Sequence, residues 1–114
     1  MNMNDYQKEA HTTASYPVGR IAGHDINYIY PVMGLTEEAG EVSGKFAKAV
    51  RDCNGVITEE RKAEIVKELG DVLWFISEIC TCLDVSLSSI AEKNISKLRS
   101  RKERGVIHGE GDNR

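Results

Sequence analysis

"LTEEAGEVSGKFAKAV", residues 35 to 50, decides how this chain folds. Leu35, Ala39, Val42, Phe46 and Val50 recur at spacings of 4, 3, 4 and 4, which lines them up in one stripe of an α-helix. Asn54-Gly55 ends that helix. Thr58 then caps a second one, whose stripe is Ile65, Leu69, Val72, Ile76, Ile79 and Leu83. After a short break at "DVS", residues 84 to 86, a third helix turns Leu87, Ile90, Ala91, Asn94, Ile95 and Leu98 inward and runs to about Arg104. Upstream, "DYQKEAHTTA" (5 to 14) forms a short helix with Asn4 or Asp5 as its cap. Residues 15 to 30 mix Gly, Pro, Asn and aromatics without a helical period and read as a connecting loop. No strand alternation is visible. Short breaks between amphipathic helices favour antiparallel neighbours, so the expected fold is an all-α antiparallel helical bundle of the four-helix type. It forms one domain over 1–104, followed by a glycine-containing tail, 105–114, that alone is expected to be mobile.

Composition narrows the function classes. A chain of 114 residues with 40% hydrophobic and 29% charged residues is one globular domain with a modest core. A net charge of -3 gives no reason to expect nucleic acid or an anionic membrane as partner. No apolar run has the ~18 residues of a membrane span. The start, "MNMNDYQKEA", lacks the basic-then-apolar order of a signal peptide, and a cytoplasmic location is expected. Cys53, Cys80 and Cys82 have neither the spacing nor the histidines of a zinc site and read as free thiols.

The opening stretch is poor as a helix in isolation. Glu37 and Glu41 repel at i, i+4, and Gly40 and Gly44 weaken the backbone. Its pattern returns thirty residues on: "EAGEV" (38 to 42) and "ELGDV" (68 to 72) both read acid, apolar, Gly, acid, Val. With Leu35 and Ile65 set at zero, Glu38 and Glu68 both fall at roughly 300°, on the shoulder of the apolar stripe. Glu41 and Asp71 both fall at roughly 240°, one turn further along the same shoulder. Packed antiparallel, the two helices bring four carboxylates together. Such a cluster needs a positive partner, and a hard divalent cation with oxygen ligands is the natural one. Gly40 and Gly70, between the acids, would let a facing helix or ligand come close. One acidic pair of this kind is usually only a solvated face; its repetition at the same inward offset favours a metal site. Glu37, at roughly 200°, is less inward. On the last helix Lys93, Asn94, Lys97 and Arg101 share an edge suited to polyphosphate oxygens, although a basic solvated face has the same appearance. No aromatic residues interleave with them, which argues against RNA.

"TEEAGEVSGKFAKAVRD" followed by "KELGDVLWFI" resembles the E-E-x-x-E then E-x-x-D signature of MazG-like nucleotide pyrophosphohydrolases, and the likeness continues through "NISKLRSRKERGVIHGEGDNR". The resemblance implies an all-α enzyme that works as a homodimer or dimer of dimers. It also implies cleavage of (d)NTPs between the α and β phosphates to the monophosphate and pyrophosphate. Carried over by position, Glu38, Glu41, Glu68 and Asp71 would hold Mg²⁺, or two Mg²⁺ ions with Glu37 helping, with Mn²⁺ as a substitute. Glu38 or Glu41 would take the proton of the attacking water. Lys93, Asn94, Lys97 and Arg101 would meet the phosphates, while Tyr6, His11 and Trp74 would contribute to a base pocket. Trp74, opposite the apolar stripe, has a subunit interface as its alternative place. The tail, with Asp112, Asn113 and Arg114, would close over substrate. The alternatives are a phosphoribosyl-ATP pyrophosphohydrolase of similar fold and a non-catalytic metal- or nucleotide-binding helical dimer. A di-iron bundle is excluded, because His11, His24 and His108 all lie outside the main helices.

Overall fold

A computed structural model describes all residues, 1–114. The order is α1 (Met3–Thr12), β1 (Gly19–Ile21), β2 (His24–Ile26), α2 (Ile29–Cys53), α3 (Glu59–Cys82) and α4 (Leu87–Glu103). The protein is all-α, apart from a small antiparallel hairpin where a plain loop was expected. Strands of three residues are too short to show alternation. The turn between them is Ala22-Gly23, with φ of 51° and 82°, the double positive φ of a tight hairpin turn. An Ala in that place hides the usual Asn-Gly signal.

Two helix starts also move upstream. α1 begins at Met3 because the Asn2 side chain accepts from Asp5 N at 2.8 Å. α2 begins at Ile29, so Pro31 falls in its first turn, where a missing N–H leaves no bond unmade. α1 ends at Thr12, two residues early, while the end of α2 and the bounds of α3 and α4 fall close to where the sequence puts them. Asn54, left-handed at φ 52°, ends α2, and the Thr58 hydroxyl accepts from Arg61 N to start α3.

α2 and α3 form the antiparallel hairpin at the centre, and α1 lies along α3. The α2–α3 seam is close at Gly34, where a Cβ would sit 2.2–2.7 Å from the Phe75 ring. Only glycine permits that approach. Gly40 and Gly70 are different, because a Cβ at either would meet nothing within 4 Å. Inside one chain no helix uses those two glycines, contrary to the expected close packing.

α4 leaves α3 at 103°. α1 fixes that direction by capping its first turn. Gln7 Oε1 accepts from Leu87 N (2.7 Å), Asn4 Oδ1 from Ser88 N (3.2 Å), and Ser86 Oγ from Ser89 N (3.1 Å). Three N–H groups that a helix start leaves free are thereby satisfied. α4 consequently rests on α1 and not on the α2–α3 hairpin, and the single chain stays open. The radius of gyration is 17.5 Å, against about 13 Å for a compact domain of this length. Much of each expected apolar stripe is uncovered: Phe46, Val50, Leu69, Leu83, Ile90, Ile95 and Leu98 are exposed, Val50 to 69%. No single helix is long and apolar enough to cross a membrane.

Residues 105–114 are tied back onto the end of α4 instead of extending from it. Val106 N donates to Arg101 O, and the three side-chain nitrogens of Arg114 donate to the carbonyls of Val106, Ile107 and Gly111. Arg104 donates to the main-chain oxygen of Arg114. An arginine placed to clasp its own loop is what composition alone could not reveal. All three cysteines are free, with Cys53 exposed and Cys80 buried.

Candidate metal centre

The α2–α3 hairpin sets the two acidic segments side by side. Carboxylate oxygens of Glu38, Glu68 and Asp71 lie within 4.8 Å of one another. Glu41 and Glu37 are exposed and stand outside this tight set. Both still bear on it. Partial burial pushes the Glu38 carboxyl above its ordinary value, and the charges of Asp71, Glu37, Glu68 and Glu41 push it further, in that order. Neutralisation by the chain itself is slight. Lys45 Nζ is 3.8 Å from Glu68 and 3.9 Å from Glu64, while Glu38 and Asp71 have no cationic partner. Lys45 was missed in the sequence, although it lies at roughly 280° on the same shoulder as Glu38 and Glu41.

Three converging oxygen donors with little compensating charge suit a hard divalent cation, which accepts carboxylates and keeps water for its remaining positions. A cation there would also relieve the repulsion on Glu38.

A second carboxylate, Glu78, lies two turns beyond Asp71 on α3 and is fully buried. His11 Nδ1 is 3.1 Å from its Oε2, and the Tyr16 hydroxyl donates to the same oxygen at 2.8 Å. Desolvation, followed by this bond to Glu78, holds the Tyr16 phenol far above its ordinary value. Tyr16 also stacks on Tyr30 at 5.6 Å. The seven-residue step from Asp71 was the available signal for Glu78, but nothing in the sequence said which neighbours would bury it.

The remaining expected residues are spread over three places. His11 serves Glu78 and also lines a cavity of about 530 Å³ together with Asn4, Gln7, Lys8 and Asp84. Burial first, then the charges of Asp71 and Glu78, raise the phenol pKa of Tyr6. Trp74 donates to Thr13 Oγ1 at 2.9 Å and packs on Phe75 and Tyr16, so its place is the α1 seam of its own chain. Lys93, Asn94 and Lys97 line a shallow depression on α4 with Ile90. Arg101 is buried under the tail. None of these α4 side chains pairs with Glu38, Glu68 or Asp71 of the same chain; Lys97 and Arg101 pair with Asp112 instead.

A nearly all-α protein in which two antiparallel helices share a cluster of carboxylates has the donor set that a carboxylate metal centre would use. Residues 31–106 match the model of the MazG nucleotide pyrophosphohydrolase domain, so the chain belongs to the MazG family. It is 45% identical to the Gene 37 protein of Mycobacterium phage L5 over 114 residues, all of both chains. No solved structure matches it.

Proposed function

We propose that this protein is a Mg²⁺-dependent nucleoside triphosphate pyrophosphohydrolase, cleaving (d)NTPs between the α and β phosphates to give (d)NMP and pyrophosphate. The observation that carries the reading is the convergence of Glu38, Glu68 and Asp71 within 4.8 Å, inside the stretch that matches the family. These three would hold the cation. Bound there, it supplies Lewis acidity toward phosphate oxygens and toward water. Glu41, beside the set but outside it, is free to accept the proton of the attacking water, as a base spent on the cation would not be. Lys93, Asn94, Lys97 and Arg101 give the donors that charge on a leaving pyrophosphate requires. Tyr6, close enough to Asp71 to feel its charge, and His11 on the same helix would meet the nucleoside.

The working unit is a homodimer or a dimer of dimers. Its support is the open chain and its uncovered stripe on α2, α3 and α4, which a second copy would bury. Within one chain α4 is turned away from the acids, so in this reading its cations serve the acidic face of the other copy.

The test is a product analysis with Mg²⁺ over the common ribo- and deoxyribonucleoside triphosphates, for wild type, Glu38→Gln and Asp71→Asn. Wild type is expected to release pyrophosphate from at least one of them, and both variants to lose turnover while staying helical. Wild-type rates in both variants would refute the metal-site reading.

A further inference from the structure

The cations at the end of α4 already hold a carboxylate. Asp112 Oδ1 is 3.4 Å from Lys97 Nζ and 3.4 Å from Arg101 NH2, and the Asp112 main-chain oxygen accepts from the same Arg101 nitrogen. Lys97 and Arg101 are two of the four α4 residues assigned above to phosphate. The contact is built at one end and loose at the other. The Arg101 side chain is only 7% exposed, whereas that of Asp112 is 85% exposed. Arg101 Nε is buried with no hydrogen-bond partner at all. A guanidinium is a planar fork that suits two oxygens of one oxyanion side by side. Asp112 meets only one arm of that fork. A phosphate group, with more acceptor oxygens and greater charge, can meet Nε and NH2 together.

We propose that Asp112 is an internal competitor for the phosphate of the substrate: in the free protein the tail 105–114 rests on Lys97 and Arg101, and an incoming polyphosphate displaces it. The inference rests on the assignment of those two side chains to phosphate. The surrounding tail is arranged to survive the exchange. Arg114 clasps Val106, Ile107 and Gly111, so the loop keeps its own bonds when Asp112 lets go. Gly109, at φ 126°, and Gly111, at φ 82°, come just before Asp112, and both adopt backbone that other residues rarely take. The only bonds that tie Asp112 itself to α4 are those to Lys97 and Arg101. Substrate charge therefore trades directly against the tail.

The measurement is binding of inorganic pyrophosphate to the full chain in EDTA, by calorimetry, for wild type, Asp112→Asn and Asp112→Ala. Because no metal and no turnover are involved, the outcome is independent of whether the acids catalyse hydrolysis. A surface ion pair of this exposure is expected to hold back the ligand by about two- to fivefold, so both variants should bind pyrophosphate tighter by that factor. In wild type, saturating pyrophosphate should speed cleavage after Glu110 by a glutamate-specific protease and leave α4 uncut. Unchanged or weaker binding in both variants would overturn the proposal. So would an absence of pyrophosphate binding in all three proteins, or a tail that becomes more protected with ligand.

Discussion

Helix α3 carries two kinds of carboxylate on one shoulder, and their surroundings are opposite. Glu78 is fully buried, yet the chain answers it with His11 and the Tyr16 hydroxyl. Two turns earlier, Asp71 joins Glu38 and Glu68 within 4.8 Å and receives no cationic partner. A fold that satisfies one buried acid with donors from two separate elements is able to do the same for others. Where it leaves three acids crowded together, the missing charge points to a ligand. Glu78 thus reads as part of the structure, joining α1 and the segment after it to α3, and the acidic trio reads as the place of work.

This contrast predicts opposite outcomes for removing an acid from each place. The largest effect is expected at the trio. Glu38→Gln or Asp71→Asn should lower pyrophosphate release by about 100-fold or more, since a lost metal ligand removes several kcal/mol of transition-state stabilisation. The same variants should melt no lower than wild type without metal, because each relieves repulsion. At Glu78 the pattern reverses: Glu78→Ala should lower unfolding free energy by about 2–3 kcal/mol in a denaturant titration, leaving two donors without their acceptor. A Glu78→Ala protein as stable as wild type would erase the distinction.

Glycines sharpen the same comparison on a smaller scale. Gly34→Ala drives a methyl group into the Phe75 ring and should destabilise by about 1–3 kcal/mol. Gly40→Ala, with open space above it, should stabilise the helix by up to about 1 kcal/mol. If Gly40→Ala nonetheless weakens substrate turnover or dimer formation, the open space over the acids is where a ligand or second copy comes close.

The smallest effect concerns pH. Glu38 holds its proton to higher pH in the folded chain than its ordinary value of 4.5. In that window the native state binds more protons than the unfolded one, so stability of the metal-free protein should decline as pH rises through and above 4.5. Mg²⁺ at neutral pH should reverse the decline, and its affinity should fall on acidification as protons compete for Glu38. Melting curves against pH, with and without Mg²⁺, give both signs.

Helix identity and the acidic repeat were legible in the sequence because both depend on local periodicity. The stripe through Leu35, Val42, Ile65 and Val72 and the shared offset of Glu38 and Glu68 are properties of single helices. What stayed hidden depends on partners from distant segments. The direction of α4 is set by Asn4 and Gln7, some eighty residues upstream, through caps that no local pattern records. Burial of Glu78 requires Tyr16 and His11, and the placement of Trp74 requires Thr13. The hairpin was invisible for a different reason: Ala22 takes a left-handed φ that its side chain does not advertise.

The claim that the trio is a cation site is tested most directly by titrating Mg²⁺ into metal-free protein in a calorimeter, for wild type and for Asp71→Asn. Saturable binding by wild type that disappears in Asp71→Asn is the predicted result. No binding by wild type, or equal binding by both, would contradict it.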